Sequence, residues 1–325
     1  MASSPFNLDA FSNGSLVKSI VYSDFIPTQI GDTGLFKAES VNTSTVSLET
    51  DGTVVSLVGI KPRGAPAQVI GSQNKRKLKT FTVPHLPQIA TVLAGEVANV
   101  REFGTEKGMR TVQSIIAKKS ALARANIDYT TEAHRLDAIM GNYNDVNGTK
   151  SSLYTEMGTA QQVETIDLSA ANTDLLSVLF DIRLKQKAAL GGIPSVGGRI
   201  YYGDAKWAEL LKSKSVAAAY ANWQNSVLPR DPRAPLVFGG FEHVWYSGSS
   251  LVEIPKAEAY AVPLGVIGQF IQVYAPAETM TDIGGMGMPY YATTELMDHD
   301  AGIEIKYETN VLTLNMLPAS VIKLN

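Results

Sequence analysis

The spacing of apolar residues along the chain changes from two to about three and a half near residue 95. Apolar and polar residues alternate over residues 43–57, with Asp51-Gly52 in the middle, which predicts a β-hairpin. Alternation returns at residues 77–83. Over residues 96–140 apolar residues recur every three or four positions, which predicts a long helix that ends before Gly141 and is either continuous or split or kinked at Gly104 and Gly108.

Shorter elements are predicted over the rest of the chain. Asn147-Gly148 predicts a turn between two short strands within residues 145–163, and Asp204 is the expected N-cap of a helix. Further predicted helices cover residues 173–190, 205–212 and 216–223, and strands cover residues 200–202, 236–238, 243–246, 259–262, 302–308, 311–317 and 321–322. Because helices and strands do not alternate as βαβ units, the pattern indicates an α+β fold with antiparallel pairing.

Composition narrows the function classes. The chain has 325 residues, of which 45% are hydrophobic and only 18% are charged, against about a quarter in typical soluble proteins. This balance suggests that much of the surface is covered by protein contacts. The net charge of −3 argues against general affinity for nucleic acid, and the absence of cysteine excludes disulfides and thiolate metal sites. No secretion signal or membrane-spanning run is evident, so we expect synthesis in a cytoplasm.

Charge is segregated along the chain. From Gly52 to Gly95 there is no acidic residue, and this stretch carries six cations: Lys61, Arg63, Lys75, Arg76, Lys77 and Lys79. Residues 276–325 are acidic, with Glu278, Asp282, Glu295, Asp298, Asp300, Glu304 and Glu308 against two lysines. A two-stranded basic projection and an acidic C-terminal region on one chain predict head-to-tail association between copies, with the six cations at the contact.

His85 lies between Pro84 and Pro87, at the end of the predicted projection. It has no carboxylate or serine nearby in sequence that would support catalysis. Two prolines cannot both occupy a regular central strand. We therefore predict that Pro84, His85 and Pro87 form a hinge, which ends the returning strand and stiffens the turn into the long helix.

Other candidate chemistry is weak. Asp298-His299-Asp300 would hold a divalent ion if it lay in a strand with both aspartates on one face, and it is otherwise an exposed acidic turn. The glycines at 284–287 lack the lysine of a phosphate-binding loop, and no Gly-x-Ser-x-Gly nucleophile motif occurs. The sequence thus predicts no catalytic residue, no metal, no cofactor and no enzymatic activity.

The order of the segments resembles that of a known family. The stretches are residues 25–57, then Thr80 to Pro87 leading to residues 97–104, then Ile200-Tyr201-Tyr202-Gly203-Asp204, and in the C-terminal half residues 268–282. This order resembles the major capsid proteins of tailed bacteriophages, specifically the lambda-type major capsid protein E family.

The resemblance implies a Hong-Kong-97-like capsid fold with five segments. They are an N-terminal arm (1–42), an extended loop (43–90), a peripheral domain with a long spine helix (91–199), an axial domain (200–275), and C-terminal strands that return to the peripheral or axial sheet (276–325).

The implied function is structural: self-assembly into the icosahedral head of a double-stranded DNA phage, within the virion, after assembly in the host cytoplasm. Expected partners are further copies of the chain, a portal, a possible decoration protein, and DNA bound without sequence specificity. Only about 40 arm-like residues precede the hairpin, which suggests a separate scaffolding protein. Alternatives are an encapsulin-like compartment, a soluble metal-dependent enzyme that uses Asp298 and Asp300, and a DNA-binding protein that uses residues 75–79.

Overall fold

Two β-sheets, each with helices packed against it, organise the protein. The computed structural model describes residues 28–50, 77–97, 112–168, 174–214, 216, 235–249, 251–282 and 284–325. The strands are β1 (Lys37–Ser40), β2 (Thr45–Thr50), β3 (Lys77–Thr82), β4 (His85–Leu93), β5 (Asn142–Asn144), β6 (Lys150–Ser152), β7 (Gln162–Glu164), β8 (Gly197–Tyr202), β9 (Leu236–Phe238), β10 (Phe241–Trp245), β11 (Ala259–Leu264), β12 (Phe270–Tyr274), β13 (Tyr291–Leu296), β14 (Gly302–Asn315) and β15 (Ile322–Leu324). The α-helices are α1 (Ala94–Val97), α2 (Val112–Ile139), α3 (Leu153–Met157), α4 (Leu175–Ala189) and α5 (Asp204–Lys212).

The first sheet has five strands and is built around β14. Both β4 and β13 pair antiparallel with its first part, β12 pairs antiparallel with its second part, and β1 adds to β12 in parallel. The prediction of separate strands at 302–308 and 311–317 is wrong, because Thr309 and Asn310 continue the ladder. Both side chains are buried although they are polar.

The two faces of this sheet carry different layers. Ile303, Ile305 and Tyr307 of β14 form one cluster with Ile115 and Ile127 of α2. The alternation of a strand places even-numbered residues of β14 on the opposite face. The long helix therefore covers one face of the sheet, and the other face is available for a second layer.

The long helix ends where the sequence indicated. Its last residue is Ile139, and Gly141 follows with φ of 85°, a left-handed conformation that favours glycine. At the other end of the predicted helix, residue 96 lies in α1, and residues 98–111 lie outside the described part of the chain. Among the described helices none is both long and apolar enough to cross a membrane.

The second sheet has six strands in the order β7-β15-β11-β8-β10-β9. Leu179 and Ile182 of α4 and Leu210 of α5 share its core with Ile200 and Phe241. Helix α4 and β7, which precede residue 200, and β15, one of the C-terminal strands, belong to this unit, whereas β12 belongs to the five-stranded sheet. The segment boundaries expected from the sequence stay a prediction.

Several predicted short elements are present. The hairpin β5–β6 turns through Gly148, with φ of 72°, and the helix predicted at 173–190 is α4, whose N-cap is Asp174. Asp204 is not the cap of α5, because Gly203 occupies that position; Asp204 instead accepts a hydrogen bond of 2.9 Å from Trp245 Nε1. The turn at Asp51-Gly52 and most of the helix predicted at 216–223 lie outside the described residues.

Candidate functional site at the base of the extended loop

Strands β2 and β3, here called the loop base, form a two-stranded antiparallel ribbon. The register runs from Thr45 opposite Thr82 to Thr50 opposite Lys77. This pairing is what the sequence predicted for the start of a two-stranded projection. Four of the six predicted contact cations lie outside the described part of the chain: Lys61, Arg63, Lys75 and Arg76.

The loop base is anchored by apolar side chains on the five-stranded sheet. Val46, Phe81 and Val83 are buried in one cluster with Ile271 of β12 and Leu312 of β14. Leu312 is on the even-numbered face of β14, the face away from α2. The loop base and the long helix thus cover opposite faces of the same sheet, and the ribbon leaves the domain from a fixed position.

Lys79 makes its ion pair within the chain. Its Nζ lies 3.2 Å from Glu156 Oε2 of α3, and both side chains are partly exposed. A pair of this kind contributes at most about 1 kcal/mol. Lys77 pairs with Thr50 at the end of the described ribbon. Of the six cations predicted at a contact between copies, Lys79 is therefore the one with an internal acidic partner in the described structure.

Val83 and Pro84, here called the joint, separate β3 from β4. The prediction of a turn into the helix at Pro84, His85 and Pro87 is wrong in its geometry. His85 begins a nine-residue strand, and Pro87 lies inside it, opposite Glu308. Among the described strands β4 pairs only with β14, and proline is tolerated in such an edge position. The role of the joint as a hinge stays a prediction.

His85 fastens the start of β4 to β14. Asn310 Nδ2 donates to Pro276 O at 2.6 Å, so Asn310 Oδ1 is the acceptor for His85 Nδ1 at 2.7 Å. The Nδ1 atom therefore carries a proton. His85 Nε2 lies 3.7 Å from Glu308 Oε2. These contacts give His85 a positioning role at the point where the loop joins the sheet.

Glu308 is a buried acid beside this histidine. Its side chain is 1% exposed, and Lys306 Nζ contacts its Oε2 atom. Neither carboxylate oxygen accepts a hydrogen bond within the described residues. The Glu308 charge is thus balanced by the Lys306 ammonium rather than by hydrogen bonds, which is an expensive arrangement for a buried carboxylate.

A second anchor holds the chain within the predicted N-terminal arm (1–42). Glu132 of α2 accepts hydrogen bonds from the backbone N–H of Ile30 at 2.6 Å and of Gly31 at 3.1 Å. Arg135 Nη1 also donates to this carboxylate at 3.3 Å. Ile30 is fully buried, so the long helix fixes both the path and the packing of this segment.

His243 is a core residue of the six-stranded sheet. Its Nδ1 accepts from the Tyr202 hydroxyl at 2.7 Å, and its Nε2–H donates to Phe238 O at 3.1 Å. Burial lowers the pKa of His243 to about 4 and raises that of Tyr202 above its usual value. With both ring nitrogens bonded and the neutral form favoured, His243 has a structural role.

The candidate metal motif has the geometry of a turn. Asp298-His299-Asp300 forms a 3-10 turn in which His299 has φ of 60°, so the strand needed to align the two aspartates is absent there. Within the described residues no group of three or more His, Cys, Asp or Glu could hold a metal ion. The motif therefore has the turn geometry of the second interpretation.

The sequence pattern did not identify two positioning residues, Glu132 and Asn310. Glu132 occupies an ordinary helical position, and only the tertiary fold shows that Ile30 and Gly31 face it. Asn310 lies in the stretch that had been interpreted as a break between two strands. In the sequence, its only mark is a polar residue between two stretches predicted as strands.

The chain is similar to known proteins over most of its length. The family model for phage major capsid protein E matches residues 14–325. The chain belongs to the phage major capsid protein E family. It is 25% identical over 318 residues to the major capsid protein of Pseudomonas phage KPP10, covering 89% of this chain and 90% of the relative. It is 21% identical over 326 residues to that of Salmonella phage Felix O1, covering 87% of each.

The fold agrees with this membership. The capsid structure of cyanophage P-SCSP1u superimposes with a TM-score of 0.51 and 12% identity, over 100% of this chain and 98% of the other. The expected Hong-Kong-97-like α+β capsid fold is confirmed. The expected function is confirmed as that of a phage major capsid protein, a structural component of the virion shell, in preference to an encapsulin-like compartment.

Proposed function

We propose that copies of this chain associate head to tail into the icosahedral head of a tailed double-stranded DNA phage, through the arm (1–42), the extended loop (43–90) and the axial domain (200–275). The observation that carries the proposal is the anchored loop base. Val46 and Phe81 of the loop base are buried against the five-stranded sheet. An isolated two-stranded ribbon is at best marginally stable in water. We therefore expect the rest of the extended loop to need a neighbouring subunit.

The proposed function also implies partners and a location for the protein. The proposed role is purely structural, without catalysis or a cofactor. Partners beyond other copies of the chain are a separate scaffolding protein, a portal and a possible decoration protein. Packaged DNA is enclosed without base recognition, consistent with the net charge of −3. Assembly takes place in the host cytoplasm, and the product is the capsid of the virion.

The joint has a proposed role in this assembly. Pro84 is buried between the loop base and β4, and the proline ring fixes one backbone dihedral. His85 holds the first residue of β4 on β14. We expect these residues to set the direction in which the ribbon leaves the sheet, and so the position of the loop on the next subunit.

Expression of the chain with and without its scaffolding protein tests the proposal. Gel filtration and negative-stain microscopy should show capsomers or closed shells rather than the 34.9 kDa monomer. Particles from infected cells should contain double-stranded DNA, whereas an encapsulin-like compartment would contain a protein cargo. Monomers under all conditions, with the scaffolding protein present, would overturn the proposal.

A further inference from the structure

A cavity of about 160 Å³, here called the arm cavity, lies where the C-terminal half of α2 faces the five-stranded sheet. Residues 28–32 of the predicted N-terminal arm, here called the arm segment, line one side of it. Its polar lining includes Thr28, Asp32, Asp128, Arg135, Tyr274 and Thr309. A cavity of about 150 Å³ admits benzene in another protein, so the arm cavity has room for about five or six non-hydrogen atoms.

Three hydroxyl groups at the arm cavity can still donate a hydrogen bond. Thr28 and Thr309 are 6% and 1% exposed, and neither hydroxyl makes a hydrogen bond within the described part of the chain. The Tyr274 hydroxyl accepts from Gln272 Nε2, which leaves its own proton free to donate. Burial raises the pKa of Tyr274, so this proton is retained. Because buried polar groups are normally satisfied, these hydroxyls indicate a bound acceptor.

Arg135 adds a cationic donor to the same end of the arm cavity. Its Nε and Nη1 atoms donate to Gln272 and Glu132, and its Nη2 atom has no acceptor among the residues that the structure describes. A Cβ atom at Gly31 would lie 2.1 Å from Thr28 Oγ1 and 2.5 Å from Arg135 Nη1. Gly31 therefore lets this hydroxyl and this guanidinium come close together, and the two form a donor pair.

Of the two carboxylates at the arm cavity, one is already engaged. Asp128 accepts a hydrogen bond from the Tyr290 hydroxyl and lies 3.4 Å from Arg124 Nε. Asp32 is exposed and has no ion-pair partner in the described part of the chain. The arm cavity thus offers free donors inside and one free carboxylate at its opening.

We propose that the arm cavity binds a small zwitterionic amino acid, with its carboxylate at Arg135, Thr28 and Thr309 and its ammonium group at Asp32. A carboxylate is an acceptor at about four lone-pair positions and an ammonium group has three donors, so both ends find partners that the protein leaves unused. Charge selects against simple ions. Phosphate would be repelled by Asp32 and Asp128, and a lone cation would be repelled by Arg135.

The ligand then joins three parts of the subunit. Thr28 belongs to the arm segment, Arg135 to α2 and Thr309 to β14. A molecule that binds the folded chain and not the unfolded chain stabilises the fold. The attachment of the arm segment therefore depends on ligand concentration as well as on Glu132. This inference is independent of the proposed function, because it concerns a site within one subunit.

Calorimetric titration of the full chain with glycine, acetate, methylammonium and phosphate tests the proposal. Glycine should bind at one site with a dissociation constant between about 10 µM and 1 mM, within the limit for five non-hydrogen atoms. Acetate and methylammonium should bind at least about tenfold more weakly, because each leaves half of the site unpaired. Equal affinities for the three, no binding of glycine, or tighter binding of phosphate would overturn the proposal.

Substitutions at the two ends of the site separate the two charges. Asp32→Asn should weaken glycine binding about tenfold and bring the affinity for acetate close to that for glycine. Thr309→Val should weaken both ligands about fivefold, because it removes one donor to the carboxylate. Asp181→Asn and Thr313→Val make the same changes at an exposed acid and at a buried threonine of β14 outside the arm cavity. Both controls should bind glycine as the wild type does, and wild-type binding by Asp32→Asn would overturn the proposal.

Hydrogen exchange measures whether the ligand holds the arm segment. Saturating glycine should slow exchange of the backbone amides of Ile30 and Gly31 about tenfold in the wild type and much less in Asp32→Asn. Exchange at these amides that is unchanged by bound glycine would overturn the bridging of the arm segment to α2 and β14.

Discussion

The ring of Phe81 packs edge-on against the ring of Tyr143, with centroids 5.2 Å apart and an interplanar angle of 88°. Phe81 comes from the returning strand of the loop base, and Tyr143 comes from the hairpin β5–β6 that follows the long helix. Through this contact the loop base packs against the hairpin at the end of the long helix as well as against the five-stranded sheet. The loop base is therefore held on the sheet and also kept from rotating over it.

Phe81→Ala should weaken this attachment. Phe81 is 4% exposed, and truncation of a buried phenylalanine typically costs about 3–5 kcal/mol. We expect a loss of that size in urea unfolding of the monomer, together with a lower yield of shells. Val237→Ala, at a side chain that is 76% exposed, should change stability by less than about 0.5 kcal/mol. Equal stability of the two variants would contradict the anchoring role.

Pro84→Gly should separate folding from assembly. Glycine adds backbone freedom to the unfolded chain at a cost of about 1 kcal/mol, so the monomer should remain folded by circular dichroism. Sedimentation should show fewer shells, because the direction of the ribbon is less constrained. Pro87→Gly removes the same ring from an exposed position inside β4 and should leave the yield unchanged. Identical yields for both variants would argue against a hinge at the joint.

The elements that the sequence predicted well are those with a local signal. The end of α2 at Gly141 and the turn at Gly148 both depend on glycine in a left-handed conformation. Alternation likewise indicated the strand character of β2 and β3, although their mutual pairing joins residues as far apart as Thr45 and Thr82. Such features are determined within a few residues, so a single sequence is sufficient to find them.

The errors concern residues whose partners are distant in sequence. Pro87 indicated the end of a strand, but β4 is an edge strand that pairs with residues more than 200 positions away. The Glu132 anchor likewise depends on tertiary contacts, which no local pattern reports.

Replacement of Glu132 tests the anchor within the predicted N-terminal arm. Glu132→Ala removes the acceptor of two backbone N–H groups, and hydrogen bonds to a charged group contribute about 1.5–3 kcal/mol each. We expect thermal unfolding at a clearly lower temperature and faster hydrogen exchange at Ile30 and Gly31. Glu132→Gln retains one acceptor oxygen and should show a smaller effect. Unchanged exchange at both amides in Glu132→Ala would contradict the anchor, with the exposed Glu253→Ala as the reference.

The buried pair of Tyr202 and His243 should make stability depend on pH. The folded pKa of His243 is lowered from 6.5 to about 4 by burial. Between these values the unfolded chain binds a proton that the folded chain does not. The contribution of neutral His243 to the free energy of unfolding is therefore complete above about pH 6.5. It is lost as the pH falls toward 4, and the loss is up to about 3 kcal/mol.

Urea unfolding of the monomer at several pH values measures this loss. Burial also lowers the pKa of His134, so His134 adds to the slope of unfolding free energy against pH in the same direction. The difference in slope between wild type and His243→Gln therefore isolates the effect of His243. The variant loses hydrogen bonds at every pH, which lowers its stability uniformly, but its slope between pH 6.5 and 4 should be smaller. His299→Gln, at an exposed turn, should keep the wild-type slope. Equal slopes for wild type and His243→Gln would mean that His243 is not the neutral core residue that its two hydrogen bonds indicate.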